Sequence, residues 1–145
     1  MKITMRVLPV LLMFLVASCT SNKPSQEIQQ AFNSKYKDAK DVDWKAKDGN
    51  WDATFEQQGV EYAAQFGADG TWLQTSHEID FKQVPPDVWN TFTEKFGEKD
   101  LQKVDEVEMD GKTYYGFNLN TGEGNFRALY DDNGNFKSKE KLEKI

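Results

Sequence analysis

Alternating apolar and polar residues fill most of the chain and predict β-strands. Residues 51–56 and 60–66 alternate along their whole length, and the pattern returns in residues 113–119 and 126–130. A side-chain period of two is typical of a strand that buries one face and exposes the other. Asp-Gly and Gln-Gly pairs stand between these runs and favour tight hairpin turns. The pattern therefore predicts antiparallel strands that pair in sequence order.

Two stretches follow a helical period instead. Residues 25–40 place their apolar side chains on one face, and Ser25 or Asn22 can cap this helix. The second stretch covers residues 86–96 and begins with Pro86, a favourable residue in the first turn of a helix. Each predicted helix precedes a set of four predicted strands.

The second half of the chain echoes the first, because residues 110–117 resemble residues 48–55. We predict an α+β fold, a tandem repeat of a helix plus a four-stranded antiparallel sheet arranged as a two-layer sandwich. Residues 26–78 form the first predicted repeat and residues 79–145 the second. A unit of about 60 residues buries little core. The repeats are therefore expected to pack together, as one continuous sheet or as two sheets side by side.

Large aromatic side chains are predicted to fill the core. The expected members are Phe32, Trp44, Trp51, Phe55, Phe66, Trp72, Phe92, Tyr115 and Phe117.

The first 18 residues have the pattern of an export signal. Lys2 and Arg6 precede an apolar stretch that is shorter than the roughly 20 residues of a membrane-spanning helix. A small-residue cleavage site with Cys19 directly after it is typical of a bacterial lipoprotein signal. We predict a lipid anchor on Cys19 and a short tether over residues 19–25, the alternative being an ordinary signal peptide with a chance cysteine. A single cysteine also excludes disulfides within the chain.

The charge of the chain narrows the classes of partner. The formal net charge is −6, and removal of the two basic residues of the signal takes it to −8. Nucleic-acid binding is not expected, because phosphate contacts need a basic face. Membrane contact should come from the lipid on Cys19 alone.

The chain offers little for catalysis. Nucleophilic triads need a base beside a nucleophile, but the one histidine, His77, falls in a predicted connector, and the one cysteine is assigned to lipid. His77 is interpreted as a solvated loop residue. We predict no catalytic residue and no cofactor.

The oxygen-rich stretch 131–135 has some likeness to a calcium loop. It lacks the glycine at the sixth position and the glutamate at the twelfth position of such a loop. Asp-Gly pairs elsewhere in the chain have the same composition for backbone reasons. A plain hairpin turn is therefore favoured, and no metal site is predicted.

The sheet face opposite the helices, called the open face below, is the predicted binding surface. Alternation places six candidate residues there, and an exposed tyrosine beside an arginine and a leucine has the composition of an interface hot spot. In the alternative, Tyr114 packs against the neighbouring repeat or against the connector between the repeats. The candidates are Asp52, Thr54, Glu56, Tyr114, Arg127 and Leu129.

The order of several short segments resembles a known family. These are AFNSKY, DVDW, DGNWDATF, VEYAAQF, DGTWLQT, VPPDV, DGKTYYGF and DDNGNF, spread over residues 27–142. Together they resemble the PepSY-like, beta-lactamase-inhibitor-like (BLIP-like) periplasmic proteins of the Bacteroidetes.

The resemblance implies tandem α+β repeats, a signal peptide that is often of the lipoprotein type, and no catalytic activity. The family name derives from a likeness to an inhibitor that grips a beta-lactamase on a concave sheet face, which is a likeness of fold. Related PepSY modules occur in protease propeptides, which suggests restraint of enzymes. The family supplies no binding residues that could be carried over to this sequence.

Three functions are weighed. The first is a non-catalytic, lipid-anchored envelope protein that binds a protein or peptide through the open face. The second is a PepSY-type inhibitor or regulator of a secreted protease or hydrolase, and the third is a weak hydrolase or glycan-binding module. The residues after Cys19 lack the acidic cluster that marks surface export, so a periplasm-facing anchor is expected.

Overall fold

The computed structural model describes residues 23–142. The predicted signal over residues 1–18, the predicted lipidation site Cys19 and most of the predicted tether lie outside these residues. The elements in chain order are α1 (Gln26–Lys35), β1 (Lys40–Lys47), β2 (Asn50–Gln57), β3 (Val60–Phe66), β4 (Trp72–Ile79), a 3-10 turn (Phe81–Gln83), α2 (Pro86–Phe96), β5 (Leu101–Met109), β6 (Lys112–Thr121), β7 (Gly124–Asp131) and β8 (Phe136–Lys141).

All eight strands form one antiparallel sheet in the order β1 to β8. Strand β4 pairs with β5 from Thr75 opposite Glu108 to Ile79 opposite Val104. The predicted fold class, a tandem repeat of helix-plus-four-strand sandwiches, is therefore wrong: the protein is mostly β, with two short helices on one sheet. The physical reason is that β4 continues to Ile79, through His77 and the predicted connector. Its backbone donors and acceptors are satisfied by β5 instead of forming an exposed edge.

Three two-residue turns set the strand register. Both central residues have positive φ at Asp48-Gly49 (51° and 80°) and at Asp110-Gly111 (53° and 68°). The turn between β2 and β3 has the same geometry, with Gln58 at 54°. Two consecutive positive φ values define the turn that matches the twist of paired strands. The predicted hairpins are confirmed.

The helices begin where the sequence indicates. Ser25 Oγ accepts a hydrogen bond from the Ile28 amide at 3.4 Å, and Pro86 occupies the first turn of α2. Helix α1 ends at Lys35, five residues before the predicted end at residue 40. Residues from Lys40 onward already pair in β1. Within residues 23–142, neither helix is long and apolar enough to cross a bilayer.

Both helices cover the same face of the sheet. Helix α1 buries Ile28 and Phe32 against β2 and β3, and α2 buries Val88 and Phe92 against β5 to β7. One row of opposing residues on this face links the two cores, namely Phe55, Tyr62, His77, Glu106, Tyr115 and Tyr130.

Most of the predicted core is confirmed. Six aromatic residues of that prediction are buried: Phe32, Phe55, Phe66, Phe92, Tyr115 and Phe117. The tryptophans Trp44, Trp51 and Trp72 are half-buried at the margin of the first core, and the prediction left out the fully buried Tyr130.

Candidate binding face

Cross-strand pairing places the six predicted binding residues on the open face. Thr54 and Tyr114 belong to one row across the sheet, which passes through Ala63, Ser76 and Val107. Residues opposite each other in an antiparallel sheet share a face. A continuous surface without helices therefore joins the two halves of the sheet.

Neighbouring rows place the other candidates on the same face. Asp52 lies opposite Gln65, Leu129 opposite Gly116, and Arg127 opposite Asn118. Thr54 and Glu56 lie two residues apart on β2 and share a face for that reason.

The exposure of the open face differs between its two halves. Thr54 and Glu56, on β2, are exposed. On β5 and β6, Asp105, Val107 and Asn118 are 6%, 1% and 8% exposed. The open face is thus closely packed along β5 and β6, whereas β2 presents its side chains to solvent.

A polar cluster occupies this closely packed part of the open face. Asn118 Nδ2 donates a hydrogen bond of 2.8 Å to Asp105 Oδ2. Lys103 Nζ lies 3.2 Å from Asp105 Oδ1, and Arg127 Nη2 lies 3.4 Å from Asp105 Oδ2. A buried carboxylate is costly unless it is paired and hydrogen-bonded. These three donors provide that pairing for Asp105.

Gly116 makes room for Arg127. A Cβ atom at Gly116 would lie 2.5 Å from Arg127 Nε and 2.8 Å from Nη2. A glycine in a strand interior often marks a close approach of another group to the backbone. Here the guanidinium lies directly over the β6 backbone because β6 has no side chain at that point.

Two grooves meet at Arg127. One groove, of about 320 Å³, extends over β1 to β4, and the other, of about 170 Å³, extends toward β8. Arg127 and Gln74 line both grooves. The further lining of the first groove includes Asp43, Lys45, Asp52, Thr54, Ala63, Gln65 and Ser76, and that of the second includes Met109, Leu129, Ser138 and Glu140.

Tyr114 is half-buried, between Val107 and Asp131 on the adjacent strands. Both of these neighbours belong to the same predicted repeat as Tyr114, and Tyr114 lies on the open face. Its binding role stays a prediction.

The oxygen-rich turn between β7 and β8 organises itself around Asp131. Asp131 Oδ1 accepts hydrogen bonds from the amides of Asn133 (3.0 Å) and Asn135 (2.9 Å), and Lys137 Nζ lies 2.8 Å from Oδ2. The hydrogen bond from Lys137, with those from Asn135 and Asn133, holds the pKa of Asp131 well below its usual value. Among residues 23–142, no group of three or more His, Cys, Asp or Glu side chains is placed to hold a metal ion.

His77 lies within β4, and its interpretation as a connector residue is wrong. It occupies the helix-covered face, opposite Tyr62 and Glu106, with its ring 4.9 Å from the Tyr62 ring. The stretch after Thr75 has few strong strand formers, so its pairing with β5 was missed.

Sequence reasoning missed the central role of Asp105. In β5, Val104 faces the helices, whereas Asp105 and Val107 share the open face. Apolar residues on both faces of β5 hide the alternation that would have set its register. Apolar residues on both faces of a strand indicate that both of its faces are packed, and this signal was present in the sequence of β5.

A single antiparallel sheet with two helices on one face and a grooved opposite face defines the class of this protein, a mostly β fold with one helical layer. The chain belongs to the family described as "Putative beta-lactamase-inhibitor-like, PepSY-like", whose model matches residues 49–138. The prediction of this family from the sequence is confirmed.

Several crystal structures from Bacteroides have the same fold. A BLIP-like protein from B. fragilis is 24% identical with a TM-score of 0.66, and a DUF2874 family protein from B. ovatus is 20% identical with a TM-score of 0.69. Each comparison covers 81% of this chain and 86% of the other. A structure from B. eggerthii named "putative periplasmic proteins" is 18% identical with a TM-score of 0.70, over 81% of this chain and 88% of the other. No curated protein matches the chain at a significant level.

Proposed function

We propose that the protein is a non-catalytic, lipid-anchored envelope protein that binds a protein or peptide through the open face of its sheet. The observation that carries this proposal is the one-sided placement of the helices. Both cores lie on one face, so the opposite face of the continuous eight-stranded sheet is left with grooves and with exposed polar side chains such as those of Thr54 and Glu56. Membership in an inhibitor-like family supports a binding role over catalysis.

The two grooves suit a peptide chain better than a compact metabolite. Their lining is rich in amide and hydroxyl groups, including those of Thr54, Gln65, Gln74 and Ser138. Such groups donate and accept hydrogen bonds, as a peptide backbone requires. Open, polar grooves of this kind differ from the enclosed apolar pockets that hold small ligands.

A pull-down from native membranes tests the proposal. The full chain carrying both Tyr114→Ala and Arg127→Glu should retain less partner than the unchanged chain. A matched pair on the helices, Gln30→Ala with Asn90→Ala, changes two exposed residues on the other side of the molecule. If the two double variants retain the same partners in the same amounts, the open face is not the binding surface.

The alternative is a PepSY-type inhibitor or regulator of a secreted protease or hydrolase. The family description favours it, since it names an inhibitor. Purified full chain should then slow at least one enzyme in a panel of beta-lactamases and envelope proteases. A panel left unaffected at micromolar concentrations would reject inhibition and leave peptide binding standing. A glycan-binding module or weak hydrolase ranks last, and glycan arrays with activity-based probes separate it from both.

A periplasm-facing lipid anchor on Cys19 is part of the proposal. Two or three acyl chains give stable membrane association, whereas one chain is marginal. Cys19→Ser should therefore release the protein from the membrane fraction, with Ser21→Ala as a control that keeps the cysteine. Continued membrane association of the Cys19→Ser chain would refute the lipid anchor.

A further inference from the structure

Arg127 is held in place more firmly than an ordinary surface arginine. Its side chain is 21% exposed, its guanidinium lies over Gly116, and Nη2 contacts Asp105. Nε is buried and has no hydrogen-bond partner within residues 23–142. A buried donor without a partner costs free energy, so such a group calls for a physical explanation.

The contact with Asp105 does not explain why the Arg127 side chain is held so firmly. Asn118 and Lys103 contact its carboxylate at 2.8 and 3.2 Å, both shorter than the 3.4 Å from Arg127. A guanidinium has five N–H donors, and within residues 23–142 Arg127 uses one of them. The terminal nitrogens therefore have N–H donors that form no hydrogen bond within residues 23–142.

A planar carboxylate is the ligand that matches such a group. Two parallel N–H donors of an arginine fit the two oxygens of a carboxylate, and the bonds are stronger than neutral ones because both partners are charged. Gly116 beneath and Asp105 beside the guanidinium fix its plane in advance. A ligand then loses less free energy in ordering the side chain.

The position of Arg127 decides which kind of carboxylate fits. The guanidinium stands where the two grooves meet, with Thr54 and Gln65 on one side and Ser138 and the exposed Glu140 on the other. A peptide whose chain ended at Arg127 would leave one groove empty. A peptide that crosses Arg127 fills both, and the group it presents there is a side chain.

We propose that Arg127 receives the carboxylate of an aspartate or glutamate side chain from the interior of an extended peptide segment of the partner. This inference rests on the proposed binding function of the open face and names the chemistry of its ligand. The flanking residues of the peptide lie in the two grooves.

Pools of immobilised seven-residue peptides test this assignment. The outer six positions are randomised, both ends are blocked, and the central residue is glutamate in one pool and glutamine in another. A third pool has central glutamine and a free C-terminal carboxylate. The full chain, purified in detergent, should be retained about tenfold more by the glutamate pool than by the glutamine pool, as expected for one charge-assisted pair.

Variants identify Arg127 as the cause of the preference. Arg127→Gln should reduce the tenfold ratio to about one, and Arg127→Lys should lose most of it, because lysine keeps the charge but lacks the planar fork. Lys99→Gln makes the same charge change at an exposed residue outside both grooves and should keep the ratio. Unchanged thermal unfolding of the Arg127→Lys chain excludes misfolding as the cause.

The outcomes distinguish failure of the carboxylate assignment from failure of the proposed peptide-binding function. Equal retention by the glutamate and glutamine pools, a ratio that survives Arg127→Gln, or strongest retention by the free-carboxylate pool would overturn the assignment and leave peptide binding intact. Retention by none of the pools would reject the peptide-binding function, and the assignment with it.

Discussion

The two halves of the sheet are alike on the helix-covered face and different on the open face. Phe32 lies 5.0 Å from Phe55 in the first core, and Phe92 stacks on Phe117 at 3.9 Å in the second. On the open face, β2 exposes Thr54, whereas β5 buries Asp105. In both halves, the helix packs on the sheet through the same kind of apolar, aromatic contacts. The open face does not have to pack against a helix. There, β2 presents an exposed polar surface, whereas β5 and β6 hold a closely packed polar cluster.

The largest expected effects lie in the two cores, which should respond alike. Phe32→Ala and Phe92→Ala each remove a fully buried ring. Each should lower the free energy of unfolding by about 3–5 kcal/mol, through lost transfer energy and the cavity left behind. Urea denaturation followed by tryptophan fluorescence measures both. A small effect in one half alone would contradict the likeness of the cores.

The open face should respond differently in its two halves. Asp105→Ala leaves Arg127 and Lys103 without their shared carboxylate and should cost about 2–3 kcal/mol, less than the roughly 3–5 kcal/mol for a fully buried pair because both cations are partly exposed. Asp52→Ala removes a carboxylate that accepts from Gln65 on the more exposed side and should cost less than about 1 kcal/mol. Equal losses in urea denaturation would remove the distinction between the halves.

Two turn glycines contact the helices at different distances. A Cβ at Gly134 would lie 3.0 Å from Thr91 Oγ1 and 3.1 Å from the Asp87 carbonyl oxygen, whereas a Cβ at Gly70 would meet Glu27 at 3.5 Å. Both glycines have positive φ, which costs an alanine about 1 kcal/mol. Gly70→Ala should therefore lose about 1 kcal/mol and Gly134→Ala about 2 kcal/mol.

Thermal unfolding of the two glycine variants measures this difference. Gly111→Ala is the matched control, because it shares the positive φ and has open space around the added Cβ. If Gly134→Ala were no worse than Gly111→Ala, the contact between this turn and α2 would contribute nothing.

The smallest expected effect is a dependence on pH at the β7–β8 turn. The folded state holds the pKa of Asp131 below its usual value, so its contribution to stability is present above about pH 4 and is lost as pH falls through the folded pKa. Between about pH 5 and pH 2, the unchanged chain should lose more thermal stability than Asp131→Asn. Asp132→Asn serves as the control. A loss as large in Asp131→Asn would assign the pH dependence to other carboxylates.

The sequence predicts local structure well where one face of an element is apolar and the turn chemistry is strong. The Asp48-Gly49 and Asp110-Gly111 hairpins, the Pro86 helix start and the aromatic cores follow from period and backbone preference. These signals depend only on residues close together in the chain, so they can be interpreted without knowing which strands pair across the middle of the sheet.

The β4–β5 pairing was beyond this reasoning. Pairing of these strands depends on backbone groups that every residue carries, and the β4 end at His77 and Ile79 has no distinctive pattern. The echo between the halves left one continuous sheet and two sheets side by side as alternatives, and the satisfaction of edge strands favours one sheet. The Asp105 cluster was missed for a related reason, since cross-strand neighbours follow only from register. The six candidate residues were placed on the correct face by alternation alone, which needs no register between strands.

Site-specific photo-crosslinking in whole cells tests the central claim most directly. A photoreactive amino acid replaces Thr54 on the open face in one chain and Gln30 on α1 in another, both at exposed positions. The account predicts a discrete crosslinked species of higher mass from position 54 and none at comparable yield from position 30, with the position-54 species weakened by Arg127→Gln. A crosslinked species from position 30 alone, or equal yields from both positions, would contradict binding through the open face.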